Sequence, residues 1–463
     1  MTITTINPTT GISLHTYQTW TQEQLENAVS AGHAAAIKWS RQSLEVRVAA
    51  LNKLAAQLRS NVEPLSSLIT AEMGKPLGEA AAEVEKSAVT AIYYANQISA
   101  MLSDEKVSIE GVDAWISYEA IGLVLAVMPW NFPVWQVMRF AIPAIAAGNG
   151  ILLKHSPNVT GAALALEQLF VDAGLPVHLL TTLLIDEVEV PATVQRLISD
   201  DRVGAVTLTG SNRAGSSVGA AAGREIKKSV LELGGSDAFV VLDDADIPSA
   251  VAAAVKARYT NAGQSCVCSK RFIVSENVIQ DFTERFVEGA RALIVGDPTD
   301  RRTQIGPMAR ADLRDALQRQ IEQSMLKGAT LMIGGKATEG KGNFFEPTVL
   351  SNTGPGMPVF DEETFGPVAA IAVAKNDEDA IRLANATPYG LSVSIWTASR
   401  DRGIEVAKRI ATGAVFINAI TASDARLPFG GTKKSGYGRE LASAGLREFV
   451  NVRTYWSPLI TTG

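Results

Sequence analysis

Gly122-Leu123-Val124-Leu125-Ala126-Val127-Met128-Pro129-Trp130-Asn131-Phe132-Pro133 is the stretch that decides the fold. Its apolar run carries no charge, is too short for a buried helix and is stopped by a proline, so it reads as a strand covered on both faces. The same rhythm returns at Ile151–Leu153, Ala205–Thr209 and Ala238–Leu242, each a buried strand followed by a loop and a helical stretch. Such alternation predicts a parallel sheet sheathed by helices. A second series follows at Arg271–Val274, Ala329–Ile333, Val368–Val373, Gly390–Thr397 and Gly413–Ile417. Two series predict two α/β domains with a cleft between them. Residues 22 to 103 read as helical, broken at Gly74-Lys75-Pro76. Val107–Tyr118 alternates like a strand pair with a turn over Glu110–Asp113, and Glu448–Trp456 alternates again. These are edge strands of one domain or strands that pair with a neighbouring subunit.

Composition narrows the function. The chain has 463 residues and a net charge of −6, with no basic run to follow a phosphate backbone, which argues against nucleic acid. No apolar segment is long enough to span a bilayer, and the N-terminus lacks the basic start and apolar stretch of a signal peptide. Two cysteines make no disulfide framework and point to a reducing cytoplasm. The four histidines (His15, His33, His155, His178) are scattered without ligand spacing, so no metal is expected.

Both cysteines stand in Asn261-Ala262-Gly263-Gln264-Ser265-Cys266-Val267-Cys268, either a thiol chosen for reactivity or an inert buried pair. Gly210 to Gly215 opens a helix after a strand, where small residues let a phosphate reach backbone N–H groups, or else forms an ordinary turn. Lys154 ends a strand at the sheet edge where α/β proteins bind ligands. Glu232, in Leu231-Glu232-Leu233-Gly234-Gly235, is a desolvated general base or a turn acid. Asn131, between two prolines, is a rigid donor for an oxyanion. Arg139 lies in the apolar run Gln136-Val137-Met138-Arg139-Phe140 and needs a carboxylate, from the protein or from a substrate.

Together these segments resemble the aldehyde dehydrogenase superfamily along essentially the whole chain, closest in motifs to its succinate-semialdehyde dehydrogenases. The motifs stand in order: Pro129–Pro133, Lys154, Gly210-Ser211 to Gly215, Leu231–Gly235, Gly263–Cys266, Glu362–Pro367, and Pro428–Gly431 with Lys434–Gly436 and Gly438–Glu440. The resemblance implies Cys266 as nucleophile, Asn131 with the Cys266 N–H as oxyanion hole, and Glu232 as the base that activates water against a thioester. It implies Lys154 and Glu363 on the cofactor riboses, Gly210, Ser211 and Gly215 along the pyrophosphate, and Phe365 beside the nicotinamide. Trp130, Ser156, Pro157 and Leu233 complete the cofactor side. The implied fold is α/β: a doubly wound cofactor domain (1–106 and 121–232), a catalytic domain (233–430), and a small β extension (107–120 and 446–463) that joins subunits into a homodimer or homotetramer.

Two features of the sequence sharpen this. NAD-selective relatives often carry a glutamate at the position of Pro157, and no acid closely follows Lys154 here, so the cofactor is NAD or NADP. Arg139 stands where the relatives acting on succinate semialdehyde hold the substrate carboxylate, with Ser423, Arg426 and Phe429 on the closing loop. A second arginine that many of them carry is Thr260 here, and Arg426 is the expected substitute. The adjacency of Cys268 suggests a redox partner for Cys266, with a small core-facing residue as the plainer reading. A general aliphatic, carboxylated or amino aldehyde dehydrogenase and a silent binding protein are the alternatives. A CoA-acylating enzyme has no need of Glu232, and a cysteine hydrolase has no suitable histidine.

Overall fold

A computed structural model describes residues 1–459. The strand Leu123–Met128 lies inside a six-stranded sheet, and its continuous apolar run has a simple cause. Val124, Ala126 and Met128 pack into one hydrophobic cluster, and Leu123 and Leu125 into another on the opposite face. In order across the sheet run Gly436–Tyr437, Lys228–Glu232, Val203–Thr209, Leu123–Met128, Gly150–His155 and Leu180–Thr182. All pairs are parallel except the first. The chain leaves Leu123–Met128 to one side and returns on the other at Val203–Thr209. The Pro129–Pro133 turn therefore stands at a topological switch point, where the two halves of a doubly wound sheet splay apart.

A seven-stranded sheet forms the second unit, ordered Thr330–Ile333, Thr348–Ser351, Val368–Ala374, Ser269–Ser275, Asp237–Val241, Ser392–Trp396 and Ala414–Ile417. It too is parallel apart from its first pair. Four helices, Gln22–Ser40, Leu44–Ser60, Val62–Met73 and Leu77–Met101, occupy the helical stretch read from the sequence. Glu105–Ile109, Val112–Ala120 and Val450–Pro458 form a separate three-stranded sheet, with the turn at Gly111 in the left-handed region (φ 73°). Residues 460–463 of the expected C-terminal strand segment lie outside the described residues. Among the described residues no helix is long and apolar enough to cross a membrane.

Several strands were not read from the sequence: the hairpin Thr2–Ile6 with Ser13–Gln18, and Leu180–Thr182, Lys228–Glu232 and Thr348–Ser351. Each is short, and Lys228–Glu232 begins with a charged, exposed residue, so none shows the unbroken apolar run that marks the central strands.

One histidine ties the switch-point turn to the sheet. His155, at the end of Gly150–His155, is buried; its Nε2 lies 2.8 Å from the Pro133 carbonyl and its Nδ1 accepts the Ser156 N–H at 2.9 Å. That pattern requires the neutral ring with the proton on Nε2. Burial pushes the imidazole down to about 4. A folded-state value below the unfolded one contributes stability that is present above about pH 6.5 and is lost as pH falls through 4. Urea midpoints of wild type and H155Q at pH 7 and pH 4.5 measure this. Wild type is expected to lose about 2–3 kcal/mol more than the variant over that interval, whereas parallel losses would contradict it.

Candidate active site

Cys266 follows a tight turn at residues 260–263 in which Asn261, Ala262 and Gly263 all have positive φ (54°, 53° and 70°). Two non-glycine residues in the left-handed region are costly and persist only where the surroundings over-determine them. The surroundings here do. Asn261 donates its N–H to Glu79 Oε2 at 2.8 Å and its side-chain amide to the carbonyls of Asn131 (2.8 Å) and Gln264 (3.1 Å). Lys270, fully buried, donates to the carbonyls of Ser265 and Cys266, each at 2.9 Å. Arg258 is also fully buried and binds the carbonyls of Ser269, Gly263, Thr364 and Gly366. A Cβ at Gly263 would lie 2.3 Å from the Gly366 carbonyl oxygen, so only glycine fits.

The thiol is half-buried against Trp135, Phe429 and Phe132. That burial pushes it up to about 12, against the pull of Arg139 and Lys270. At rest Cys266 is a thiol. Cys268 is buried and free, with Sγ 3.8 Å from the Thr260 carbonyl.

The Asn131 turn meets the nucleophile turn directly. Asn131 Nδ2 donates to the Gln264 carbonyl at 3.1 Å, two residues before Cys266, and keeps a second N–H. Among the described residues the Cys266 N–H makes no hydrogen bond within the protein. Both N–H groups are thus left free to donate, the chemistry that an oxyanion hole asks for. Glu83, on the helix Leu77–Met101, holds the Asn131 turn by accepting the N–H groups of Val134 (2.8 Å) and Trp135 (2.9 Å). Its other oxygen pairs with Lys75, whose ammonium sits 3.7 Å from the centre of the Phe132 ring.

Glu232 ends its strand with a buried carboxyl whose Oε1 has no hydrogen-bond partner and faces Gly430, where a Cβ would come within 2.7 Å. Burial, and the nearby Glu440 carboxyl, hold Glu232 well above the usual carboxylate range, opposed by Arg139 and Arg439. Sequence reading did not single out Glu440, yet it supplies the carboxylate that Arg139 needs. The two form a fully buried ion pair. Phe429 stacks on the same guanidinium at 4.5 Å, and Phe429 and Glu440 exchange both backbone hydrogen bonds at 2.7 Å.

Cys266, Arg139, Ser423 and Phe429 line one cavity of about 290 Å³, together with Lys86 and Thr260. Arg426 does not. Its guanidinium is largely exposed and clamped on Asp424 at 2.8 and 2.6 Å, because the Asp424 carboxylate two residues away captures it first. The expected second arginine is therefore absent from the cavity wall. Arg258, close in sequence to Thr260, is bound to main-chain carbonyls instead.

The sequence model of the aldehyde dehydrogenase family matches residues 1–455. The chain belongs to the aldehyde dehydrogenase family. It is 48% identical over 455 residues, 98% of each chain, to the protein of Escherichia coli (strain K12) named succinate semialdehyde dehydrogenase NAD(P)+. It is 43% identical over 459 residues to a succinate-semialdehyde dehydrogenase NADP(+) of Mycobacterium tuberculosis, covering 98% of this chain and 100% of the relative. The crystal structure of succinic semialdehyde dehydrogenase from Streptococcus pyogenes in complex with NADP+ superposes with a TM-score of 0.95 at 36% identity, covering 98% and 100% of the two chains.

An aldehyde dehydrogenase needs a nicotinamide nucleotide, and the residues along the first sheet fit one. Lys154 is buried at a strand end, and its ammonium makes no hydrogen bond or ion pair among the described residues; desolvation lowers it to about 8. A buried cation without a partner is suited to ligand hydroxyl or phosphate oxygens. The helix Asn212–Arg224 opens after Gly210, with Ser211 as N-cap, and its backbone can approach an anion because Gly215 packs where a Cβ would lie 2.4 Å from Leu233. Glu363 accepts the Gly235 N–H at 3.0 Å, and Trp130 meets Phe365 edge to face at 5.6 Å. Ser156 pairs with Asn158 at 2.7 Å beside Pro157. The sequence shows no acid close after Lys154, but folding brings Asp186 and Glu187 into one cleft with Pro157 and Asn158.

Glu79, Glu83, Lys86 and Lys270 do not stand out in the sequence, and Glu440 stands there in the Gly438–Glu440 motif without an assigned role. The first three sit on one face of an Ala-rich helix, and nothing local separates them from its solvated charges. Two measurements test the geometry. E83Q breaks a buried pair and is expected to destabilise the protein by about 3–5 kcal/mol, whereas E85Q, whose pair with Arg59 is nearly half exposed on both sides, is expected to leave the midpoint almost unchanged. Equal denaturation midpoints for the two variants would contradict the account. The rate of Cys266 alkylation by iodoacetamide in the nucleotide-free protein is expected to climb about tenfold per pH unit from 7 to 10; a plateau below pH 9 would show that the thiol is not raised.

Proposed function

We propose that this chain oxidises succinate semialdehyde to succinate with NAD or NADP, through a thioester on Cys266. The observation that carries the reading is the shared cavity, which Cys266 lines together with Arg139 and Ser423. Cys266 Sγ attacks the aldehyde carbon, and the carbonyl oxygen takes up charge between Asn131 Nδ2 and the Cys266 N–H. When bound, the nicotinamide nucleotide supplies the two-electron acceptor that makes the acyl group. Glu232, its affinity for protons raised by burial, takes one from water, whose oxygen attacks the thioester carbon as the thiolate leaves. Lys154, Ser156, Pro157, Gly210, Ser211, Gly215, Leu233, Glu363, Trp130 and Phe365 hold the nucleotide. The names of the relatives point the same way in substrate and cofactor.

In this reading the three-stranded sheet joins subunits of a homodimer or homotetramer in a reducing cytoplasm, and its outward Val107, Ile109, Val452 and Trp456 support that use. Initial rates of NADH and NADPH formation with succinate semialdehyde and with butyraldehyde test the substrate. A kcat/KM preference of at least about a hundredfold for the semialdehyde is expected from a site built for a carboxylate. Equal values would leave an aldehyde dehydrogenase of general specificity.

A further inference from the structure

Arg139 alone does not make this cavity cationic. Its guanidinium is already neutralised by the buried Glu440, with Glu232 close by, so the pair presents no net charge to an entering carboxylate. Arg426 points elsewhere, and Thr260 is uncharged. Lys86 is different. It lies on the helix Leu77–Met101, one turn beyond Glu83, and lines the cavity with Cys266. Its Nζ donates to Ser423 Oγ at 2.7 Å and lies 4.4 Å from the centre of the Trp135 ring. Among the described residues no carboxylate comes within ion-pairing distance of it.

We infer that Lys86 is the specificity-determining cation of this site: its ammonium, with the Ser423 hydroxyl, binds the distal carboxylate of the substrate and stands in for the missing second arginine. The inference rests on the carboxylated-aldehyde reading above. An ammonium half-buried against an indole face and a hydroxyl, with no carboxylate of its own, has electrostatic room for exactly one more anion. A neutral aldehyde chain would gain nothing from it. Ser423, anchored by the same hydrogen bond, ties the closing loop to the helix that also braces the Asn131 and Asn261 turns.

The groups facing Lys86 are Glu83 on its own helix, Arg139 and Trp135 on the helix Trp135–Ala146, and Asp424 beside Ser423. Burial and Arg139 lower its proton affinity to about 8, against the pull of Asp424 and Glu83. Carboxylate binding therefore weakens as pH rises through about 8.

The test is the ratio of kcat/KM for succinate semialdehyde over butyraldehyde in wild type, K86M and K86R from pH 6.5 to 9.5. Using a ratio cancels the titration of Cys266, which both aldehydes share. K86M is expected to lower the ratio by about thirtyfold or more, carried by KM for the semialdehyde. K86R, always charged, is expected to recover much of it. In wild type the ratio should fall above pH 8, and in K86R it should not. Equal losses for both aldehydes in K86M would overturn the inference and leave Lys86 as a brace for the Ser423 loop. A wild-type ratio near one would overturn the carboxylated-aldehyde reading itself, and this inference with it.

Discussion

A carboxylate buried on a helix outside both sheets holds this site together. Glu83 accepts two successive backbone N–H groups, those of Val134 and Trp135, and so fixes the exit of the Asn131 turn. One helical turn earlier, Glu79 accepts the N–H of Asn261 and fixes the entry to the nucleophile turn. Three residues after Glu83, Lys86 reaches Ser423 on the closing loop. One helix face thereby ties together the Asn131 turn, the Asn261 turn and the Ser423 loop. Glu83 also forms a buried ion pair with Lys75, which compensates the two charges out of water. Loops carry the chemistry, and the helix removes their freedom.

The electrostatics are those of a site at rest. Cys266 is raised by burial, Glu232 is raised by burial and by Glu440, and Lys154 is lowered by burial. Each group is held away from the charged form it uses. Each also faces a place where a ligand or reacting atom brings compensating charge. Buried groups shifted in this way mark functional sites.

Much of this was legible in the sequence, for identifiable reasons. The central strands of both sheets are buried on two faces and so show unbroken apolar runs, as at Leu123–Met128 and Ala238–Val241. Short strands such as Leu180–Thr182 and Lys228–Glu232 do not, and were missed. Cys266, Asn131 and Glu232 stand out in the sequence because each lies in a motif with glycine or proline nearby, where backbone geometry restricts the choice of residue. Lys86 does not, since a lysine acquires its role only from what the fold sets opposite it, and Glu440, although inside the Gly438–Glu440 motif, shows its pairing with Arg139 only in the fold. Arg426 was misplaced for the same reason: Asp424, two residues away, claims it in a way that pattern does not reveal.

The central claim is that oxidation proceeds through an acyl group on Cys266 that Glu232 helps water to release. The direct measurement is mass spectrometry of E232Q mixed with succinate semialdehyde, with and without NAD or NADP. The account predicts one succinyl group on the Cys266 peptide only when the nucleotide is present. No adduct under either condition, or an adduct on the Cys268 side chain instead, would contradict it.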